Sequence, residues 1–431
     1  MHLPLVPTLT LLSLLVISPS IVFAAPSVID PSLKVETVFE GLNTPSNMAF
    51  LDKDTILVLE KNTGIVDRVL NGSILSEPLL DVNVSSALER GLLGVAVAKS
   101  DKNITRVFLY FTESKSEDGK DECNTPTHCK VGNDPLGNRL YRYDLVSNKL
   151  INPKLLLSLP STPGPAHNGG IVKIGPDNNV YVVLGELGWM STQASNVPQK
   201  KATPDGRGGI LRVTEDGQPL QRILGNGTQL NLYYAYGIRN SFGLDFDPVT
   251  GNLWDTENGP SFGDEINLVK PGFNSGWSKM QGVWEVTSGS MGKENTHPDS
   301  LLLNYSGKGV YSPPEFTWKV PVAPTAIKFF PSDKLGRQYS NDLFVGGGNN
   351  GNIYDFDLNE NGSRTELLLH GSLADRVANN TLENEGITWG KGFGIITDMR
   401  IGPSDGYLYI LSINLPNDKG TIFRIVPVGD S

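Results

Sequence analysis

The stretch PAHNGGIVKIGPDNNVYVVLGELG, from Pro165 to Gly188, contains His167, one of five histidines in the chain. Two strand-like runs within it, residues 170–174 and 180–184, flank the turn sequence GPDNN. In an antiparallel hairpin turning near Pro176–Asp177, His167 and Glu186 fall opposite each other at the open end. A general base needs an imidazole held in one orientation by a carboxylate that also stabilises its protonated form. The same two residues equally suit a loop-capping histidine beside a solvated glutamate.

A second hairpin, NSFGLDFDPVTGNLWDTENG, starts at Asn240. Its turn, DPVTGN, brings Arg239 and Asn240 to the end that carries Asn258, Gly259 and Pro260. An arginine there suits a developing oxyanion or a ligand carboxylate, and it suits an ion pair between sheets as well. The following loop, ENGPSFGDEIN, adds Asp264 and Glu265 among glycines. Carboxylates and loop carbonyls together can hold Ca²⁺, although the spacing is not that of an EF-hand.

The elements that would position these residues are short. After residue 30 the chain shows little helical periodicity and many alternating or β-branched runs separated by Gly, Asn, Asp and Pro. Six versions of one unit follow in order, each a hairpin and then a Gly-led strand. They are SNMAFLDKDTILVLE with GIVDRVL, GLLGVAVAKSDKNITRVFLYFTES with GNRLYRYDL, and the His167 hairpin with GILRVTEDG. The last three are the Asn240 hairpin with GDEINLV, TAIKFFPSDKLGRQYSNDLFVGG with GNIYDFDL, and ITDMRIGPSDGYLYILSIN with GTIFRIV. Unequal spacing excludes a strict solenoid. The expected fold is all-β, a six-bladed β-propeller of four-stranded antiparallel sheets spanning residues 33–427 as one domain. The run LKVETVFEGL from Leu33 is expected to pair with the C-terminal strands and close the ring. A pair of β-sandwiches would need a central linker, and none is visible. Residues 286–315 read as a long insertion between blades. In a propeller, His167, Glu186, Arg239, Asn240 and Gly259 share one mouth of the central channel.

The chain has 431 residues, a formal charge of −10, 47 glycines and 29 prolines. This balance argues against nucleic acid, which needs clustered Lys and Arg. Residues 1–24 are mostly apolar and end in Val22-Phe23-Ala24-Ala25, a small-residue cleavage pattern, so a signal peptide or N-terminal anchor is expected. Any membrane attachment would run through that segment. Sequons at Asn71, Asn83, Asn103, Asn226, Asn304, Asn361 and Asn379 agree with a secreted, periplasmic or otherwise extracytoplasmic location. So does a disulfide between Cys123 and Cys129, the two cysteines. His128 beside Cys129 leaves a zinc site incomplete. Trp254, Trp277, Trp284, Trp318 and Trp389 read as packing or rim walls, and His297 and His370 as surface residues.

HNGGIVKIGPDNNVYVVLGELG, ERGLLGVA, YGIRNSFGLDFDPVTGNLWDTENGPSFGDEINLV and NSGW resemble the glucose/sorbosone dehydrogenase family over about residues 35–427. That family includes soluble quinoprotein glucose dehydrogenases and aldose sugar dehydrogenases. The resemblance implies a six-bladed propeller with pyrroloquinoline quinone (PQQ) and Ca²⁺ on one rim, oxidising the anomeric hydroxyl of an aldose, or a related alcohol, to the lactone. It implies His167 as the base and Glu186 as its orienting carboxylate. It places Arg239 and Asn240 at the quinone edge, the Gly259 and Pro260 carbonyls on calcium, and Asp264 and Glu265 near a second calcium. A separate electron acceptor completes the cycle.

The departures from the family pattern cluster at the quinone's carboxylates. In GFGIITDMR, Ile395 and Thr397 stand where the family carries two arginines before Asp398. Asn349, in VGGGNNGN, replaces a lysine, and Glu89-Arg90 replaces a glutamine before GLLG. Lys391 or Arg90 is the candidate compensating cation. The alternative is an extracellular propeller with another cofactor or none, binding carbohydrate or a protein partner.

Overall fold

A computed structural model describes residues 25–99, 104–116, 135–188, 192–197, 203–220, 222–227, 229–359, 363–414 and 417–429. The N-terminal segment 1–24, Cys123, Cys129, His128 and the sequons at Asn103 and Asn361 lie outside these residues. The other five sequon asparagines are all exposed, as are His297 and His370. Among the described residues no helix is long and apolar enough to cross a membrane.

Six antiparallel sheets follow one another along the chain, with short 3₁₀ turns as the helical elements among the described residues. The first sheet is built on Pro45–Phe50, Thr55–Glu60 and Ile65–Leu70, the second on Leu92–Lys99, Thr105–Glu113, Gly137–Val146 and Lys149–Leu159. The third starts with Val172–Ile174, Val180–Leu184, Gly209–Val213 and Tyr233–Tyr236. The fourth has Ser241–Phe246, Leu253–Glu257, Asp264–Val269 and Phe316–Trp318. Pro324–Phe329, Leu343–Gly347, Ile353–Phe356 and Thr388–Lys391 form the fifth, and Ile395–Ile401, Leu408–Asn414 and Lys419–Pro427 begin the sixth. The fourth strand of the sixth sheet is N-terminal: Leu33–Asn43 pairs with Lys419–Pro427, from Leu33 opposite Pro427 to Asn43 opposite Lys419. The sequence expectation of a pairing between the chain's two ends matches this ladder.

The expected four strands per sheet are exceeded in four sheets because loop segments add themselves to open edges; in the first, Ser73–Ile74 and Leu80–Asp81 both pair with Ile65–Leu70. Phe273–Asn274 and Val310–Tyr311 extend the third sheet in parallel, Val377–Ala378 extends the fourth, and Ser27–Val28 pairs with Thr388–Lys391 on the fifth. These additions cover backbone donors that an edge strand would otherwise leave unpaired. Part of the insertion expected at residues 286–315 is a small separate sheet of Met280–Gln281, Trp284–Thr287 and Ser290–Glu294.

The first strand of each sheet lies against the first strand of the next, and that of the sixth lies against that of the first. Strands enclosed on both faces read as continuous apolar runs: Val180–Leu184 is buried at all five positions, and Thr55–Glu60 at all six. Apolar cores fill the spaces between neighbouring sheets. Leu57, Val95 and Phe111 join the first and second, and Phe108, Val172 and Val182 the second and third. Trp254, Phe316, Trp318 and Phe356 join the fourth and fifth, and Met48, Val58, Leu411 and Ile422 the sixth and first. Each such side chain contributes about 1.5–3 kcal/mol relative to exposure, so the sheets hold one another through side chains rather than shared ladders.

At the outer edge of the fifth sheet, burial and then the nearby Asp355 and Asp357 push Asp342 up to about 9, against the opposing pull of Arg364. Burial and Asp357 push Asp355 up to about 7. A carboxyl whose folded value is raised favours the folded state fully below its unfolded value, near about 4, and loses that contribution as pH rises through the folded value. The melting temperature, followed by circular dichroism, is therefore expected to fall from about pH 5 to about pH 9, with Asp342→Asn and Asp355→Asn each flattening the slope. A wild-type melting temperature that climbs across this window would contradict the assignment.

Candidate functional site

The observed hairpin register differs by one residue from that inferred from the turn. Val172 pairs with Val182 and Ile174 with Val180, which projects Leu187, not Glu186, opposite His167. The ladder ends before that point. His167 sits at φ +58°, and Gly169 and Gly170 also have positive φ, so the chain leaves the strand and swings the imidazole back toward Glu186. His167 Nδ1 lies 2.5 Å from Glu186 Oε1, with the glutamate side chain only 3% exposed and the histidine 14%.

Neighbouring loops fix this pair. Asn168, fully buried, donates to Pro165 O and accepts from Asn138 Nδ2, while Tyr110 Oη donates to its carbonyl. Glu89, from the loop before the second sheet, accepts His167 N–H at 2.6 Å and Asn240 Nδ2 at 3.1 Å through the same oxygen. Glu186 N–H donates to Arg239 O at 2.9 Å. Gly185 has no alternative here, because a Cβ would stand 2.5 Å from His167 O and 2.6 Å from Arg239 O. Asn168 and Glu257 went unrecognised in the sequence; the residue following His167 was a signal for the former.

Arg239 donates from Nη1 to Asn258 O at 2.7 Å and Gly259 O at 3.1 Å, with its guanidinium 5.2 Å from the centre of the Trp277 ring. Glu257 accepts Arg239 N–H and Ser275 Oγ–H, both at 2.7 Å. Burial lowers Arg239 from its ordinary value, opposed by Glu186, Glu257, Glu89 and Asp264. Burial raises Glu257 to about 7 and, with Glu257 beside it, lifts Glu265 well above the carboxylate range. The fold thus gathers His167, Glu186, Glu89, Arg239, Asn240 and Gly259 into one hydrogen-bonded rim, with Pro260 next in the loop.

Beside this rim lies an axial cavity of about 180 Å³. The six sheets each contribute to its wall: Asn47, Leu93, Ile171, Phe242, Thr325 and Thr397. Glu89, Leu88, Lys61 and Ile413 also line it. Below Asn47 the channel is filled by ion pairs: Arg400 with Asp398 at 2.8 Å, and Lys328 and Lys173 with Asp245 at 2.6 and 3.5 Å. A roomier cavity of about 600 Å³, beside Asp342 and His370, contains none of the rim residues.

The remaining sequence candidates stand elsewhere. Arg90 is completely buried and donates to Ser161 O and Gly164 O. Asn349 is exposed and donates to Pro321 O, and Lys391 is exposed on the strand that pairs with Ser27–Val28. Ile395 does not line the cavity; Thr397 does, and its hydroxyl donates to Leu411 O. PQQ is a tricarboxylate, and this wall does not fit it: its lining holds a single cation, Lys61, offset by Glu89, and is otherwise apolar or neutral. Nor are the assigned carboxylates free for calcium. Asp264 accepts from the N–H groups of Gly259, Val322 and Ala323, and Glu265 accepts from Gly282 N–H, Gln281, Asn267 and Ser275. Gly259 O is taken by Arg239, and no group of three His, Cys, Asp or Glu able to hold a metal occurs among the described residues. Asp264, raised to about 6 by burial, acts as a clasp for three backbone donors.

The family profile "Glucose / Sorbosone dehydrogenase" matches residues 42–424. Aldose sugar dehydrogenase YliI of Escherichia coli is 25% identical over 428 residues, 95% of each chain. Quinoprotein glucose dehydrogenase B of Acinetobacter calcoaceticus is 30% identical over 267 residues, 57% of this chain and 52% of its own. Among solved structures, the apo aldose sugar dehydrogenase of E. coli superposes with a TM-score of 0.68 at 22% identity, covering 92% of this chain and all of its own. The PQQ-bound aldose sugar dehydrogenase of Streptomyces coelicolor gives 0.62 at 23% identity, covering 93% and 98%. The chain belongs to the glucose/sorbosone dehydrogenase family.

Proposed function

We propose that this chain is an exported oxidoreductase that oxidises a hydroxyl of a sugar or related alcohol, with His167 as the general base. The reading takes the six sheets as blades of a propeller closed by Leu33–Asn43 on Lys419–Pro427. The observation that carries it is the 2.5 Å contact between His167 Nδ1 and a buried Glu186, beside an axial cavity. Glu186 takes Nδ1, which leaves Nε2 as the proton-accepting nitrogen. As the hydroxyl proton passes to Nε2, the Glu186 carboxylate stabilises the imidazolium that forms. Arg239, half-buried and stacked near Trp277, supplies a fixed positive charge beside the oxygen that develops negative character. The hydride leaves the same carbon for a two-electron acceptor, giving a carbonyl product, a lactone where the hydroxyl is anomeric. Export rests on the apolar N-terminal segment and the exposed sequons.

The test is reduction of a dye by the purified full-length chain with aldoses and simple alcohols, each assayed with a carboxylated and an uncharged quinone. His167→Ala is expected to lower turnover by about 10²–10⁴-fold, the range a positioned base supplies. No change would make His167 a structural residue. Glu186→Gln keeps a hydrogen-bonding group at Nδ1 but removes the charge, and is expected to lower kcat by at least about tenfold with KM nearly unchanged, since the imidazolium forms only as the proton moves. A change confined to KM would instead assign Glu186 to substrate binding. Glycan binding without turnover under any of these conditions would favour the carbohydrate-binding alternative.

A further inference from the structure

The cavity beside His167 has walls whose chemistry selects a ligand. Leu88, Leu93, Ile171, Phe242 and Ile413 give it an apolar lining. The hydroxyls that reach it are already donors to backbone carbonyls: Ser46 to Leu92 O, Thr397 to Leu411 O, and Thr325 to Gly346 O and Ile396 O. Lys61, the cation in the lining, donates to Asn62 Oδ1 at 2.8 Å and Ser86 O at 3.0 Å. Glu89, at the mouth, brings a carboxylate fixed by His167 N–H and Asn240. Beneath the floor Arg400 is paired with Asp398, and Lys328 and Lys173 share Asp245, with burial lowering Lys173 to about 8. Several ligand carboxylates here would shed water for one ammonium, Lys61, already shared with Asn62 and Ser86 O, and Glu89 would repel them.

We propose that this cavity takes an uncharged quinone as the hydride acceptor, in place of a carboxylated one. Cavities of about 150 Å³ lined by aliphatic and aromatic side chains admit a benzene ring. The cavity's volume of about 180 Å³ therefore suits a single quinone ring, with further substituents extending through the mouth. The step balances. The carbinol C–H bond breaks and its hydride reduces the quinone by two electrons. The O–H proton goes to His167 Nε2 and then to the reduced ring, giving a carbonyl compound and a quinol. The acceptor assignment rests on the function proposed above, whereas ligand selection by the cavity can be measured without turnover.

The experiment titrates the full-length chain, without substrate, with duroquinone and separately with PQQ in the presence and absence of Ca²⁺, following intrinsic fluorescence and heat. Saturable duroquinone binding at least tenfold tighter than PQQ is expected. PQQ binding as tight or tighter, or no saturable binding of duroquinone, overturns the proposal. Thr397→Arg places a cation in the wall and is expected to narrow or reverse the preference. Leu93→Trp fills the space without charge and is expected to weaken duroquinone alone. Circular dichroism confirms that each variant is folded, and the wild-type comparison decides the matter if one is not. Duroquinone binding that survives in His167→Ala, together with a lack of hydroxyl oxidation by the wild type, would defeat the functional reading and leave the ligand selection standing.

Discussion

One carboxylate oxygen of Glu89 accepts both His167 N–H and Asn240 Nδ2, and so ties together loops from the second, third and fourth sheets. The dyad depends on that bridge. Neighbouring sheets share cores rather than ladders across most of the molecule, so nothing in their strand pairing fixes one loop against the next. Carboxylates do this around the rim. Glu257 holds Arg239 N–H and Ser275, and Asp264 reaches from the fourth sheet to Val322 and Ala323 beside the fifth. Such acceptors suit loop ends because a carboxylate can satisfy several backbone donors at once, and hydrogen bonds to charged groups are the stronger ones.

This arrangement concentrates carboxyl groups where water is scarce. Glu257 and Asp264 are raised by burial despite their donors, and Glu265 is raised further by its proximity to Glu257. Arg239 is the cation at the centre of this group, contacting Asn258 O and Gly259 O and lying within the fields of Glu186, Glu257, Glu89 and Asp264. Its position is thus over-determined before any ligand arrives. A charge fixed in this way need not reorganise when an oxyanion forms, and this makes it useful in the proposed chemistry.

The strand runs and their turns were readable in the sequence because both are local. Alternation, β-branching and the GPDNN and DPVTGN turns placed His167 near Glu186, and Arg239 near Gly259, even with the third sheet's register displaced by one residue. The pairing of Leu33–Asn43 with Lys419–Pro427 was readable too, as a long alternating run with no partner of its own. Residues whose roles depend on distant backbone were not. Asp264 and Glu265 look like cation ligands in a Gly-rich loop, but their partners are amides from segments up to 59 residues away. Arg90 stands next to Glu89 in the chain, yet its guanidinium turns to carbonyls 71 and 74 residues on. Adjacent residues at a loop apex face different neighbours, and sequence spacing does not say which.

The two ends of the site are built from separable parts. His167 is held by Glu89, Gly185, Asn168 and Glu186, none of which touches Thr397, Phe242 or Ile413 in the hydrogen-bond network. The cavity wall takes residues from six successive sheets, each anchored by its own ladder. A change of charge or size at a wall position other than Glu89, which serves both parts, therefore leaves the other strands and the dyad in place. On the proposed function, the rim and the charge of the wall vary independently, because the first depends on contacts between loops and the second on single side chains projecting toward an axis. In this chain the wall carries hydroxyls already committed to carbonyls and a carboxylate at its mouth. On the proposed function, the wall sets the charge of the ligand and the rim sets the bond that breaks.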